Sequence, residues 1–151
     1  MALMDILTSK QGLEFDKYLV RYCGHSLLNQ VFARQLGFEA QSALLLRTQG
    51  RKTGVWRDVV LPWFPSGQDL VVVGSRGGAP QDPNWVHNLR RHPEAEVFVD
   101  RRLRLVTARF AEAEEYDKLW QQVTLAVPTY ADYQRRCAAS RKIPLLVLSP
   151  A

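Results

Sequence analysis

Thr48-Gln49-Gly50-Arg51-Lys52-Thr53-Gly54-Val55-Trp56-Arg57 is the stretch whose reading decides the fold. An apolar run, Ala43-Leu44-Leu45-Leu46, leads into it, and an alternating run, Val55 to Phe64, leads out. Such runs on either side of a short polar segment with two glycines read as strand, tight turn, strand. Gly50 and Gly54 bracket the turn and give the backbone access to positive φ. Arg51, Lys52 and Arg57 concentrate cations at its tip. With the Thr53 hydroxyl and free backbone amides they can hold an anion, phosphate being the usual candidate. Equally, the charges can simply keep an ordinary hairpin turn in water. The stretch by itself does not separate the two.

Toward the C-terminus the pattern stays short-stranded. Ser42 to Thr48 is the first strand and Val55 to Phe64 the second, with Val55, Arg57, Val59, Leu61 and Trp63 on one face. Pro62 cannot donate to a ladder and marks an edge or a bulge. Pro65 to Asp69 reads as a turn, Leu70 to Gly74 as a third strand, and Ser75-Arg76-Gly77-Gly78-Ala79-Pro80-Gln81 as a glycine-rich loop. Asp82 suits a helix N-cap and Pro83 the first helical position of a short helix that stops at Pro93. Trp85, Asn88 and Leu89 share a face of it, and a polar Asn88 between apolar neighbours needs a backbone or ligand partner. Ala95 to Val99 is a fourth strand, Asp100-Arg101-Arg102 a turn and Leu103 to Phe110 a fifth strand. Glu112 to Ala126 is an amphipathic helix. A second helix after Pro128 puts Tyr130, Tyr133 and Cys137 on one face, and Ile143 to Leu148 is a sixth strand.

Toward the N-terminus, Leu13 to Gly37 is helical, with Gly24 as a break and Gly37 as a stop. Its charges are mixed, which argues against membrane contact by Met1 to Tyr22, although such contact stays open as an alternative. The expected fold is α+β, mainly β: a six-stranded antiparallel barrel with flanking helices, in one domain over residues 1–151. Residues 1–38 form its N-terminal helical segment and 40–150 its barrel.

The 151 residues carry a net charge of +5 and a sequence pI of about 9.5, which favours an anionic partner without naming it. Cys23 and Cys137 form no CxxC pair, and with His25, His87 and His92 they show no metal-ligand spacing. No signal peptide is evident and no apolar run approaches the roughly 20 residues that span a bilayer, so a reduced, cytoplasmic protein is the simplest expectation, with membrane association open. Gly50-Arg-Lys-Thr53 lacks the earlier glycine of a P-loop, Gly74-Ser-Arg-Gly77-Gly78 is not GxGxxG, and no GxSxG elbow is present. Three elements remain that can converge: the cationic turn, the Ser75 loop and the Tyr130–Tyr133 helix. Together they suit a ligand with a flat apolar head and a long anionic tail.

Gly50-Arg51-Lys52-Thr53-Gly54, Arg57, Leu61-Pro62-Trp63, Gly74-Ser75-Arg76-Gly77-Gly78-Ala79-Pro80, Pro83-Asn84-Trp85-Val86-His87-Asn88-Leu89 and Pro93, in that order, resemble the deazaflavin-dependent nitroreductase family. Pro128-Thr129-Tyr130-Ala131-Asp132-Tyr133-Gln134 and Ile143-Pro144 fit it as well. The resemblance spans roughly Ala40 to Pro150. It implies a split β-barrel related to the pyridoxamine-phosphate-oxidase-like flavoproteins. It also implies binding of the 8-hydroxy-5-deazaflavin coenzyme F-420 and transfer of hydride from its ring to a quinone or other conjugated acceptor. Carried onto this chain, Arg51, Lys52, Thr53 and Arg57 hold phosphate and tail. Ser75, Arg76 and Gly77 line the phosphate or ring side, and Pro62, Trp85 and Asn88 complete the cofactor groove. Tyr133 is the expected proton donor, Tyr130 the lid over the substrate and Ser75 a second hydroxyl. Members that activate nitroimidazoles have a further tyrosine where this chain has Val127, which puts that activity in doubt and leaves cofactor binding untouched.

Two other ligand sets stay open. FMN or haem fits the same superfamily, but FMN has one phosphate and would under-use the cation set. A non-enzymatic binder of nucleic acid or lipid is motivated by Arg90-Arg91, Arg101-Arg102-Arg104, Arg135-Arg136 and Arg141-Lys142, pairs that are usually solvated faces. The expected partner is a small electron acceptor, with no nucleic acid, no metal, and a monomer or a homodimer.

Overall fold

The computed structural model describes residues 3–23, 25–36 and 41–151. The decisive hairpin is present. Strand β1 (Ala43–Gln49) pairs antiparallel with β2 (Trp56–Pro62), in register from Ala43 opposite Pro62 to Gln49 opposite Trp56. The Gly50 amide donates to Val55 O and the Gly54 amide to Gly50 O, each at 2.8 Å, and Gly54 takes a φ of 72°. Five more strands follow: β3 (Phe64–Ser66), β4 (Asp69–Val73), β5 (Glu94–Val99), β6 (Arg102–Phe110) and β7 (Leu145–Pro150). They form one curled sheet in the order β2-β1-β5-β6-β7-β4-β3, antiparallel at every pairing.

The sheet has seven strands where the sequence led us to expect six. The run from Val55 to Phe64 is two strands, not one. Pro62 ends β2, the Trp63 amide turns aside to Ser42 O at 2.9 Å, and Phe64 opens β3 opposite Val71. The turn expected over Pro65 to Asp69 accordingly shrinks to Gly67 and Gln68. Although neighbours in the chain, β2 and β3 lie at opposite edges of the sheet, so the Pro62–Trp63 corner joins the two edges of the half-barrel. Pro62 sits on an edge strand, where a missing donor costs least. The β5–β6 turn is also tighter than expected: Val99 already pairs with Arg102, and Asp100 and Arg101 take φ of 51° and 63° between them.

Side chains alternate strictly about this sheet. Leu44, Leu46, Val72, Val97, Val106, Leu146 and Leu148 fill the interior. Their neighbours face outward onto helices α2 (Lys10–Cys23), α5 (Ala113–Ala126) and α6 (Thr129–Cys137). Val20 of α2 packs on Ala43 and Leu45, while Tyr116, Leu119 and Val123 of α5 pack on Val71, Val73, Leu145 and Val147. Strands covered on both faces read as continuous apolar runs, as 43–46, 70–73 and 145–148 do. β6 is bare on its outer face, with Leu103 and Leu105 52% and 61% exposed.

The N-terminal helical region is α2 followed by α3 (Leu27–Leu36), preceded by a short α1 (Leu3–Thr8) that the periodicity did not predict. The expected break at Gly24 and stop at Gly37 lie outside the described residues. Gly12 permits a close crossing of α1 and α2: a Cβ there would lie 2.3 Å from Ile6 O. Helix α4 (Asn84–Arg91) starts later than expected. Pro83 stands at its N-cap position and Asp82 makes no cap bond, because its carboxylate is taken by Arg141 at 2.9 Å and Arg90 at 3.3 Å.

Candidate functional site

A cavity of about 740 Å³ lies between the β2 edge, the loop after β4, α6 and the N-terminal helices. Consecutive residues of β2, Asp58, Val59 and Val60, line it together with Pro62. Consecutive strand residues point to opposite faces, so the feature they share toward the cavity is the unpaired backbone edge of β2. Asp58 is fixed there by Arg47, which donates to its two carboxylate oxygens at 2.8 and 3.3 Å. The hydrogen bond to Asp58 is the main reason that the Arg47 pKa lies above its usual value.

The loop after β4 brings Ser75 and Gly77 to the cavity in a backbone that L-residues rarely adopt. Arg76, Gly77 and Gly78 have φ of 44°, 62° and 81°. Left-handed conformation costs roughly 1–2 kcal/mol for a residue with a Cβ, so the loop needs outside support. Arg141 supplies it. Its Nε donates to Ala79 O at 2.9 Å, and its terminal nitrogens to Gly74 O at 2.9 Å, Ser75 O at 2.7 Å and Asp82 Oδ1 at 2.9 Å. Gln134 steadies that segment in turn, donating to Arg141 O at 3.0 Å and accepting from the Ile143 amide at 2.7 Å. Arg136 adds a bond to Gly77 O at 3.3 Å.

Helix α6 places two tyrosines on the cavity wall. Tyr130 is buried and meets Phe64 and Tyr133 edge to face, each ring pair 6.2 Å apart. Neither phenol has a hydrogen-bond partner among the described residues. Burial pushes the Tyr130 hydroxyl well above the ordinary phenol range. It raises Tyr133 too, against the guanidinium of Arg136, which lies 5.4 Å from the ring centroid. Both therefore hold their protons at neutral pH and are free to donate them into the cavity.

The cavity thus gathers Pro62, Ser75, Gly77, Tyr130 and Tyr133 from the residues expected to form the site. Val127, where the sequence departs from the nitroimidazole-activating pattern, is also on the wall. The remaining expected residues lie off it. Trp85 is part of the barrel core. Asn88 has protein partners: it accepts from the Arg51 amide at 3.1 Å and guanidinium at 3.2 Å and donates to Thr48 Oγ1 at 3.1 Å, tying α4 to the hairpin. Thr53 Oγ1 accepts from the Val55 amide at 3.2 Å. Lys52, Arg57 and Arg76 are exposed and make no ion pair among the described residues. They leave a free cationic rim on the hairpin tip and the loop.

Sequence reasoning missed two parts of the site. One is Arg141, read as half of a solvated Arg-Lys pair. The other is the N-terminal wall, where Met4, Leu13, Asp16, Ser26, Leu28, Asn29 and Phe32 reach the cavity. The spacing of Phe15, Tyr18 and Tyr22 gives α2 an apolar face, but that face is exposed, and Asp16 and Val20 are the buried residues.

Comparison with known proteins points one way. A sequence model described as F-420H(2)-dependent quinone reductase matches residues 28–150. An F-420H(2)-dependent quinone reductase of Mycobacterium tuberculosis is 33% identical over 149 residues, covering 91% of this chain and 99% of its own. A solved F-420-H(2) dependent reductase (FDR-A) superposes with a TM-score of 0.64 at 31% identity, over 71% of this chain and 93% of its own. A solved domain-swapped dimer gives the same TM-score and identity, over 71% of this chain and 79% of its own.

Proposed function

The chain belongs to the F-420H(2)-dependent quinone reductase family, and from that membership we infer that it is a deazaflavin-dependent oxidoreductase that reduces a quinone with the reduced coenzyme F-420. The observation that carries the reading is the meeting of Ser75, Tyr130 and Tyr133 on a cavity that runs along the open edge of β2. The residues fit the coenzyme. The cavity is within the roughly 300–1,000 Å³ of small-molecule sites, its wall is largely apolar, and two proton-bearing phenols on it have no hydrogen-bond partner among the described residues. A Cβ added at Gly77 would meet nothing within 4 Å, so the loop leaves open space beside its backbone.

Ser75, Gly77 and Pro62 would line the ring, with Arg51, Lys52, Thr53, Arg57 and Arg76 toward phosphate and tail and Trp85 and Asn88 supporting the groove from behind. When bound, the reduced coenzyme supplies a hydride equivalent at its ring. The protein orients the acceptor, excludes water from an apolar pocket and delivers the proton that must follow. Tyr133 is the donor: its hydroxyl is protonated and unpartnered among the described residues, and a hydrogen bond to the acceptor carbonyl strengthens as charge develops on that oxygen. Tyr130, more deeply buried, closes the acceptor side. Val127 supplies only bulk there, which favours quinone over nitroimidazole reduction.

Two features bear on partners. Leu3, Ile6, Phe15, Tyr18 and Tyr22 are exposed on α1 and α2, and Lys10 and Lys17 of the same helices reach the cavity. That combination supports peripheral contact with the bilayer in which a prenylated quinone dissolves. No described helix is long and apolar enough to cross a membrane. The domain-swapped relative supports pairing of two chains, which the mass from light scattering would decide.

The test is a titration with reduced coenzyme F-420 and, in parallel, FMN, followed by addition of a naphthoquinone free in solution and then carried in anionic vesicles. Tight deazaflavin binding, its oxidation by quinone, and faster turnover on vesicles are expected. Exclusive binding of FMN would overturn the activity, and equal or slower turnover on vesicles would overturn the membrane contact.

Tyr133→Phe should slow quinone reduction about ten- to a hundredfold and leave coenzyme affinity unchanged. Because its hydroxyl titrates above the usual phenol value of roughly 10, the wild-type rate should show no alkaline loss up to about pH 9. Stopped-flow oxidation of the deazaflavin across pH reads both. A full-rate variant, or a rate that falls between pH 7 and 9, removes Tyr133 from the role.

A further inference from the structure

Asp16 is the one charged side chain fully buried among the described residues, at 2% exposure, and it lies on the cavity wall. Burying a carboxylate is costly unless hydrogen bonds compensate it. Asp16 has two: Ser26 Oγ donates to Oδ2 at 2.6 Å and the Leu28 amide to Oδ1 at 3.1 Å. Ser26 Oγ accepts in turn from the Asn29 amide at 3.0 Å, and Asn29 Nδ2 donates to Gln41 O at 2.5 Å, just ahead of β1. The result is a polar seam from the middle of α2, over the N-terminus of α3, to the barrel. Each of its five members, Asp16, Ser26, Leu28, Asn29 and Gln41, lines the cavity.

The seam holds a part of the chain that the family match leaves out. The matched region begins at residue 28, whereas Met4 and Leu13 of α1 and α2 are on the same cavity wall as Phe32 of α3 and Tyr130 and Tyr133 of α6. An apolar residue at position 16 would hold two helices together as well as a buried ion does, and at lower desolvation cost. What the carboxylate adds is a fixed geometry, since a bidentate acceptor of one amide and one hydroxyl admits a single placement of α2 on α3.

We propose that Asp16 is a positioning residue for the acceptor: through Ser26 and the Leu28 amide it sets α1 and α2 as the wall against which an apolar quinone is held. The proposal rests on the quinone-reductase reading for the identity of the acceptor. It assigns to the N-terminal helices the selection of acceptor, leaving the coenzyme to the barrel, the loop and α6.

The experiment uses the full chain loaded with reduced coenzyme F-420 and compares Asp16→Ala, Asp16→Asn and Ser26→Ala with the wild type. Loss of the seam should raise the KM for a prenylated naphthoquinone about tenfold in Asp16→Ala, the effect expected of one or two lost hydrogen bonds to a charged group. kcat should stay within about twofold, since the proton-donating tyrosine is untouched. Coenzyme affinity should not move. Asp16→Asn keeps an oxygen for the Leu28 amide and should recover part of the loss, and Ser26→Ala should be intermediate. Limited trypsin digestion at Lys10, Lys17 and Arg21 should quicken in the order of the KM changes. Quinone affinity is also read without turnover, by quenching of tryptophan fluorescence, so a wild type that binds quinone but does not reduce it sinks the activity while still testing Asp16. An unchanged quinone KM and affinity in all three variants overturns the proposal, as does an equal loss of coenzyme and quinone binding. Should Asp16→Ala fail to fold, Asp16→Asn and Ser26→Ala decide the matter.

Discussion

Arg141→Ala should lower stability by about 3–5 kcal/mol, the usual result of breaking a buried charged network from one side, and abolish measurable deazaflavin binding. The Arg141 side chain is only 10% exposed and its guanidinium holds three carbonyls, of Gly74, Ser75 and Ala79, together with the Asp82 carboxylate. Truncation takes the guanidinium from all three carbonyls, leaving Ser75 O with the Gly78 amide at 2.9 Å, and releases a loop whose Arg76-Gly77-Gly78 backbone is left-handed throughout. Among the described residues Asp82 keeps only the more exposed Arg90. Ser75 and Gly77 then leave the cavity wall. Arg141→Lys should rescue little, because a single ammonium group has no planar fork to bridge acceptors on different residues. Urea unfolding and coenzyme titration of both variants measure this. An Arg141→Ala protein of wild-type stability that still binds the coenzyme would show that the loop stands without its clamp.

Gly78→Ala is the second large effect. A Cβ at Gly78 would lie 2.7 Å from Tyr133 O, 3.0 Å from Tyr133 Cα and 3.1 Å from Arg136 Cβ, at a φ of 81°. The obstacle is mostly the backbone of α6, which cannot rotate out of the way as a flexible side chain would. Either the loop shifts, and Ser75 and Gly77 move with it, or the helix shifts and carries Tyr133. We expect a loss of about 3 kcal/mol or more, the sum of left-handed strain and overpacking, with quinone reduction falling at least tenfold. Gly77→Ala is the internal control. It carries a φ of 62° but its Cβ would meet nothing within 4 Å, so only the conformational cost of about 1–2 kcal/mol applies. Thermal unfolding of the pair separates strain from collision, and equal losses in the two variants would refute the close approach of loop and helix.

The parts of the molecule that could be read from the chain are those whose cause is local. Alternation and bracketing glycines define the Thr48–Arg57 hairpin. The three- and four-residue spacing of Tyr130, Tyr133 and Cys137 gives one face of α6, and the order of short motifs matches the family. What escaped reading depends on distant residues. Pro62 announces an edge, but only pairing with Val71 makes Phe64 the start of a seventh strand at the other edge. Asp82 has the chemistry of a cap and loses that job to an arginine 59 residues away. Arg141 sits in a cationic pair whose sequence says surface, and its burial arises only when the loop wraps it. Asn88 reads as a polar residue in need of a partner, and the partners it finds in the protein, Thr48 and Arg51, lie 40 and 37 residues away in the chain. In α2 the apolar spacing marks Phe15, Tyr18 and Tyr22, which are exposed, while the buried Asp16 meets a cavity that β2 and α6 also line.

The open edge of β2 has a consequence for the protein before it is loaded. A strand edge with unpaired amides and carbonyls is a template on which another chain's strand can add, and proteins ordinarily blunt such edges with charge, proline or a cover. Here Pro62 blunts one end and the charges of Arg57 and Asp58 guard the other, but Val59-Val60-Leu61 between them is the kind of β-branched, uncharged segment that aggregates. A ligand seated along that edge, as proposed above, would cover it. On that placement the coenzyme would bear on more than turnover: it would also shield the β2 edge, and loaded protein should aggregate more slowly than unloaded protein.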